Sequence, residues 1–408
     1  MYIRTRIILF TRGRRPKMLF LNLNVSKESR GRRLVFELKD ADLSIVNALR
    51  RVILMDIENV AIAWNAYESE ENGIRILKNT SALHNEFVGH RISLVPVCVT
   101  EDELTKWSKF NKYKFVINTD NKGKGEKEKN QSKWVTTRDI RVIHSDTNEP
   151  YHDGEAIRSS LFPPDPITKD YIILTKLKHG EEFHVEFQAR IGTAKDHARW
   201  CPVSTCTYEM KQDTALVDRE RKLFIENHSD DPKDLNRFDS IDRQKLVVRN
   251  KKGEPSHFKF TVESECRLSP TFLVDSAFEV ILNKLDHLKT GSMLTAKLLH
   301  EEKEKYMYSI DVQDEDHTMG NLIYQIAMNH FIEGDEDEGK GKEKKTKPID
   351  FIGYYQPHPL KPVIVFKIRF LKSGMDPISF FKHVLDVVKA DMEEAKKAWQ
   401  KALKGLKV

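Results

Sequence analysis

Residues 42–49 (DLSIVNAL) and residues 316–323 (DHTMGNLI) follow one pattern at opposite ends of the chain. Each stretch reads Asp, any residue, Ser or Thr, two further residues, Asn, any residue and an aliphatic residue. In both copies we expect the hydroxyl of the Ser or Thr to cap the N-terminus of a helix. Two capped helices can share such a pattern by accident, but the repeat favours two related modules in one polypeptide.

Both predicted helices carry an apolar stripe at helical spacing. The first stripe consists of Ile45, Leu49, Val52 and Ile53, and the second of Met319, Leu322, Ile323, Ile326 and His330. Each stripe requires a surface against which it can be buried.

The sequence around the two copies resembles a known family. Residues 47–53, 79–96, 162–171, 192–203 and 258–264 resemble, in this order, the alpha-like subunits of multisubunit RNA polymerases. These are bacterial alpha, archaeal D and the third-largest subunit of the eukaryotic enzymes. The second copy, together with residues 353–360, resembles archaeal L and the eleventh subunit of eukaryotic polymerase II. The resemblance covers nearly everything from Met18 onward.

The resemblance implies an α+β RNA polymerase alpha-like dimerisation fold, with two related modules fused as an intramolecular pseudo-heterodimer. The expected divisions are a basic extension 1–17, a discontinuous alpha-like dimerisation domain 18–63 and 258–293, an inserted strand-rich domain 64–257, and an L-like module 294–408. The joint between the modules is expected at 289–306. Alternation independently predicts a hairpin from residues 19–25 and 33–38, and a returning strand at 257–263.

Two further helices are predicted from stripes that step by three and four residues. Asp376 as a cap and Pro377 in the first turn are typical of the start of the second. The helices either pack on each other or each cover their own sheet; the stripes are Val274, Phe278, Ile281, Leu285 and Leu288, and Phe381, Leu385, Val388, Met392, Ala395 and Trp399.

The function implied by the resemblance is a non-catalytic assembly platform for a DNA-directed RNA polymerase. The expected partners are two large catalytic subunits and a small adaptor, with no sequence-specific DNA contact and no membrane. We associate fused forms with large nucleocytoplasmic DNA viruses, which predicts the host cytoplasm (viral factory) and the virion as locations, with the nucleus as the alternative.

The resemblance also assigns residue roles. The pseudo-dimer core is expected from Ile45, Leu49, Ile53, Met319, Leu322 and Ile326. Docking of the large subunits is expected from Arg50, Arg51, His84, Asn85, Glu86, His90, Arg91, Lys195, His197 and Arg199.

Composition is typical of a globular protein, with 39% hydrophobic and 32% charged residues among 408. The formal charge is +6, and the extension 1–17 carries six cations without an acid. No phosphate loop or His-Glu-x-x-His motif is present. The four cysteines form no Cys-x-x-Cys pair, so we expect no metal and no cofactor, and we expect Cys98 to be a buried apolar residue.

Two charged segments interrupt the apolar pattern. Residues 120–133 read as the loop of an extended hairpin, and residues 333–347 as an acidic block followed by a basic block. Both are expected to be surface insertions. A free-standing nucleic-acid-binding protein, which would use the basic arm and the Lys-rich loops, is the alternative function, and a cysteine-based redox or metal enzyme is a second rival.

Overall fold

The computed structural model describes residues 18–64, 73–110, 112–122, 131–228, 232–265, 267–290, 294–302, 305–332, 347–372 and 374–405. The extension 1–17, Cys266 and most of the two charged insertions lie outside these ranges. The helices are α1 Leu43–Met55, α2 Asn85–Ser93, α3 Glu101–Phe110, α4 Gly154–Leu161, α5 Thr214–His228, α6 Pro232–Arg237, α7 Pro270–Thr290, α8 His317–Ala327 and α9 Pro377–Leu403. The strands are β1 Leu19–Val25, β2 Arg33–Lys39, β3 Asn59–Ile62, β4 Ile74–Asn79, β5 Tyr113–Asp120, β6 Lys133–Thr136, β7 Arg141–His144, β8 Ile173–Leu177, β9 Glu182–Phe187, β10 Ala189–Gly192, β11 Val203–Met210, β12 His257–Ser264, β13 Leu294–Glu302, β14 Lys305–Gln313, β15 Ile349–Tyr355 and β16 Val363–Phe370.

The first module is built on an antiparallel sheet of order β1-β2-β12-β11. Alternation turns Leu34, Phe36 and Leu38 of β2 inward, and Phe36 lies opposite Phe260 of β12. The predicted hairpin and the returning strand are therefore confirmed. The partner of β12 at the edge is β11, which lies inside the range that we expected to form the inserted domain.

The caps of the repeated motif differ from the sequence prediction. In α1 the N-cap is Asp42, whose carboxylate accepts a hydrogen bond of 2.8 Å from the backbone N–H of Ser44. In α8 the N-cap is Asp316, which accepts one of 2.7 Å from Thr318. The prediction that the hydroxyl residue caps each helix was wrong. The Asp two positions earlier has the extended backbone of a cap, and the hydroxyl residue lies within the first turn, where its own N–H is the donor to that Asp.

Between α1 and β11 the chain forms a separate strand-rich region. β3 and β10 form a two-stranded antiparallel sheet, which we call the stalk. The region also contains a sheet of order β4-β9-β5-β7 and the pair β6-β8. The hairpin expected around residues 120–133 is absent from these pairings. β5 pairs with β7 and β9, and Phe115 and Ile117 of β5 are buried beside Phe187 and Val185 of β9, while β6 pairs with β8.

The second module repeats the connectivity of the first. Its sheet has the order β13-β14-β16-β15. In each module the chain forms a hairpin, then a helix, then two further strands. The second of these two strands pairs with the hairpin, and the first lies at the edge of the sheet. A last helix, α7 or α9, completes each unit. β13 and the start of β14 lie within the range 289–306 that we expected to form the joint, so most of that range belongs to the second sheet.

The helices of the two modules pack together between the sheets. α1 contacts α7 and α8, α7 contacts α9, and α9 also lies against β1. The indole of Trp399 from α9 is fully buried, with its centroid 5.3 Å from Phe20 and 5.4 Å from Phe36 of the first sheet. The helix predicted to start at Asp376 is therefore capped as expected and covers both modules. Among the described helices, none combines the length and apolar character needed to cross a membrane.

Candidate assembly interface

An apolar core joins the two modules through α1 and α8. The six residues expected to form it are all buried, and every one is at most 8% exposed: Ile45, Leu49, Ile53, Met319, Leu322 and Ile326. α1 and α8 contact each other directly. Burial of a single such aliphatic side chain contributes about 1.5 to 3 kcal/mol, so this core stabilises the contact between the modules, together with the packing of α9 on α7 and β1.

Polar contacts at the ends of these helices tie each module to the cap of the other. Asp42, the cap of α1, accepts a hydrogen bond of 3.0 Å from the amide of Asn329. Asp316, the cap of α8, lies 3.9 Å from the guanidinium of Arg51, which also donates to the hydroxyl of Thr318 at 2.7 Å. The aspartates that start the two motifs therefore serve both their own helix and the contact between modules.

Lys195 connects three structural elements. Its ammonium lies 3.0 Å from Asp56 at the end of α1 and 3.3 Å from Asp316 at the start of α8, while Lys195 itself follows β10. Lys284 of α7 approaches the same group of charges, 3.3 Å from Asp56 and 3.5 Å from Glu315. The result is a partly buried cluster of both signs at the boundary between the modules.

The cluster shifts the pKa of its members. Burial alone would raise the pKa of Asp316, but hydrogen bonds from Thr318 and the cations Lys195 and Arg51 lower it to about 2. Burial opposes the charge of Lys195, yet Asp56 and Asp316 outweigh it and raise its pKa above the ordinary value. Burial raises the pKa of Glu315, which Lys284 only partly counteracts.

The internal contacts of Arg50, Arg51 and Lys195 bear on their predicted role in docking a large subunit. Arg51 and Lys195 bind the other module, so they contribute to the internal interface rather than to a free docking surface. Arg50 is half-buried and donates twice to the side chain of Asn47, at 3.1 and 3.0 Å. The sequence placed Arg50 and Arg51 beside the apolar stripe of α1. It could not show that Asp316, the N-cap of α8, lies next to Arg51 alone of the two.

The remaining predicted residues of α2 lie on the surface. His84, Asn85, Glu86, His90 and Arg91 are all exposed. The guanidinium of Arg91 donates to the carbonyls of Ile173 and Leu174 at 2.6 and 2.9 Å and thereby fixes α2 against β8.

Two apolar side chains on α2 escaped the sequence prediction. Phe87 is 61% exposed and Leu94, just after the helix, is 49% exposed, whereas Val88 and Ile92 form the buried face. The signal was present in the sequence, because apolar residues at 87 and 94 fall outside the stripe that 88 and 92 define. We call His84, Asn85, Glu86, Phe87, His90, Arg91 and Leu94 the α2 surface.

His197 and Arg199 lie beside the pair β3–β10, and His197 is also close enough to His90 of the α2 surface for their charges to interact. Arg199 donates to the carbonyls of Ile62 and Trp64 at 3.1 and 3.0 Å. It thereby satisfies two backbone acceptors at the C-terminal end of β3. The ring of His197 accepts from the backbone N–H of Arg199, and burial together with the nearby Arg199 lowers its pKa. Arg199 therefore has an internal structural role, whereas His197 is exposed and its docking role stays a prediction.

Nothing in the described part of the chain assembles a metal-binding group of three or more His, Cys, Asp or Glu side chains. Cys206 is buried, and burial raises the pKa of its thiol to about 12, so it is not a reactive thiolate at neutral pH. Cys98 is half-buried rather than fully buried as expected.

Comparisons with known proteins agree with this geometry. Residues 35–285 match the family model of the RNA polymerase Rpb3/Rpb11 dimerisation domain. The chain is 28% identical over 302 residues to "DNA-directed RNA polymerases IV and V subunit 3B" of Arabidopsis thaliana, covering 62% of this chain and 86% of that protein. It is 27% identical over 297 residues to subunit RPAC1 of polymerases I and III of Saccharomyces cerevisiae, covering 62% and 82%. It is 24% identical over 299 residues to subunit Rpo3 of Methanosphaera stadtmanae, covering 66% and 97%.

The chain belongs to the RNA polymerase Rpb3/Rpb11 dimerisation family. Within that family it is an alpha-like subunit of a DNA-directed RNA polymerase, with the α+β fold expected from the sequence. The prediction of a non-catalytic polymerase subunit is confirmed against the alternative of a free-standing nucleic-acid-binding protein. The family match ends within α7 and so does not extend to the second module.

Proposed function

We propose that this chain is the assembly platform of its polymerase and that it combines both partners of the dimerisation pair in one polypeptide. The repeated connectivity β-β-α-β-β-α supports this proposal. So do the contacts in which residues of each module bind the N-cap aspartate of the other module's helix. The second module, 294–408, then corresponds to an L-like or eleventh subunit, and the whole chain is an intramolecular pseudo-heterodimer. Because β11 pairs with β12, it belongs to the sheet of the first module. We therefore propose that the inserted domain spans about residues 59–192 instead of the expected range 64–257.

Fusion changes the first step of assembly. α7 ends at Thr290 and β13 starts at Leu294, so the connection between the modules is short. A short tether gives an effective concentration that reaches roughly millimolar, and the pairing no longer depends on an encounter in solution.

The α2 surface is the docking site that we propose for a large catalytic subunit. It combines exposed Phe87 and Leu94 with the charged residues around them. Apolar residues within a polar rim are typical of the centre of a protein interface. The further partners that we propose are the second large subunit and a small adaptor. The eukaryotic relatives are cellular, which favours the nucleus over a viral factory or a virion.

Co-purification from the native source tests the proposal. The tagged chain is expected to bring down both large subunits in equal amounts. The variant Phe87→Ser/Leu94→Ser should lose the large subunit that docks there while its melting temperature stays unchanged, because neither side chain belongs to the core. The control is Leu223→Ser, a leucine on α5 that is 44% exposed. Full recovery of both large subunits with the double variant would contradict the docking site.

A further inference from the structure

The face of the second sheet opposite its core face carries residues that strand register arranges in rows. Because Phe366 and Ile368 of β16 point into the core, the alternate residues Val365, Lys367 and Arg369 lie on the opposite face, where Val365 is only 5% exposed and the two cations are half-buried. Strand register places further outward residues beside them. The three rows across β13, β14, β16 and β15 are Thr295-Asp311-Val365-Tyr355, Lys297-Ser309-Lys367-Gly353 and His300-Met307-Arg369-Phe351.

Two aromatic rings stand exposed on this face. Phe351 is 41% exposed and Tyr355 is 44% exposed, and they lie four residues apart on β15 with Gly353 between them. A side chain at Gly353 would meet the ring of Phe351 at 3.1 Å. The ring of Phe351 therefore lies across Gly353, in a position that a larger residue at 353 would disturb.

Each ring has a cation beside it on the neighbouring strand. The ammonium of Lys367 lies 5.0 Å from the centroid of Tyr355, and the guanidinium of Arg369 lies 6.0 Å from that of Phe351. Arg369 also pairs with Asp350 at 2.7 Å. Lys297 adds a third cation to these rows, whereas the acid within them is Asp311. The face is thus apolar and aromatic at its edge and carries a net positive charge.

We propose that this face, which we call the β15 face, binds single-stranded nucleic acid. Bases of any sequence stack on exposed aromatic rings, and cations nearby hold the phosphates. A four-stranded sheet that presents aromatic rings to bases is an established means of binding unpaired strands. An acidic peptide would satisfy the cations but would leave the rings without a planar partner. The inference is independent of the platform role, because it uses a surface that the proposed docking site does not include.

Fluorescence anisotropy of the full chain with labelled oligouridylate at low salt tests the inference. The variant Phe351→Ser/Tyr355→Ser is expected to bind about tenfold or more weakly, with the same dependence on salt, since no charge has changed. Lys367→Gln is expected to reduce the slope of log affinity against log salt by about one. Phe351→Tyr/Tyr355→Trp should bind like the unaltered chain.

The matched control is Leu19→Ser/Leu21→Ser, which removes two exposed apolar side chains from the edge strand of the first sheet. It should bind like the unaltered chain, which separates ring stacking from a general loss of apolar surface. The inference is overturned if the serine variant at 351 and 355 keeps full affinity, since binding then comes from other cations such as those of the 1–17 extension. It is equally overturned if the chain fails to bind the oligonucleotide, or if polyglutamate of equal charge competes as well as the oligonucleotide does.

Discussion

The two modules share one connectivity but differ in what they add to it. The first carries a stalk and a large strand-rich region between α1 and β11, and its sheet presents polar residues such as Glu37 and Lys259 outward. In the second, α8 ends at Ala327 and β15 starts at Ile349, and Phe351 and Tyr355 are exposed on the sheet. The two modules therefore share a scaffold and differ in the additions and outer faces that we propose as contacts for different partners.

The difference extends to the repeated motif itself. Val46 of the first copy is fully buried, whereas its counterpart in the second copy is Gly320, where a Cβ atom would approach the ring of Tyr354 to 2.6 Å. The caps differ as well, since Asp42 is bound by the neutral Asn329 and Asp316 by the cations Arg51 and Lys195. The pseudo-symmetry holds for the backbone and is broken in the side chains.

The largest expected effect comes from a charge in the core shared by both modules. Leu322→Asp and Leu49→Asp should each destabilise the fold by about 3 to 5 kcal/mol, because a carboxylate there is buried and unpaired. Chemical denaturation measures the free energy of unfolding. Leu322→Met is the control and should cost less than about 1.5 kcal/mol. A large effect at 49 with none at 322 would show that α8 does not share the core of α1.

Trp399 tests whether the helix of the second module covers the sheet of the first. Trp399→Ala should cost about 3 to 5 kcal/mol, because the indole fills the space beside Phe20 and Phe36. Trp399→Phe should be much milder, since the indole N–H finds no hydrogen-bond partner among the described residues. Thermal unfolding followed by calorimetry distinguishes the two, and equal losses would argue against packing as the cause.

Lys195 tests the polar connection between the modules. Lys195→Met keeps the aliphatic stem and removes the charge near Asp56 and Asp316, so it should destabilise by about 1 to 2 kcal/mol at neutral pH after allowance for partial exposure. Lys259→Met on the outer face of the first sheet is the control and should change stability by less than about 1 kcal/mol. If the two variants lose the same amount, Lys195 has no special role at the boundary.

The pH dependence of stability isolates Asp316. Its pKa of about 2 lies below the ordinary 3.8, so it stabilises the fold above pH 4 and loses this contribution as the pH falls toward 2. The expected loss is about 1 to 2 kcal/mol, since the group is partly exposed. The raised pKa of Glu315 acts in the opposite direction, so the measurement compares the unaltered chain with Asp316→Asn. Parallel pH profiles for the two proteins would contradict the assignment.

Local patterns in the sequence predicted much of the fold. The hairpin β1-β2, the strand β12 and the stripes of α1, α7, α8 and α9 follow from alternation and helical spacing, which are properties of neighbouring residues. The pairing of β11 with β12 was missed, because a partner 50 residues away leaves no local trace. The internal roles of Arg51 and Lys195 were missed for a similar reason, since a charged residue beside a stripe can face solvent, a partner or the second half of its own chain.

The central claim is that the two halves of the chain form a dimer with each other. Separate expression of residues 1–292 and 293–408, followed by mixing at micromolar concentration, tests it most directly through sedimentation. The account predicts a one-to-one complex that Leu322→Asp abolishes. Two well-folded fragments that remain monomeric when mixed would contradict it.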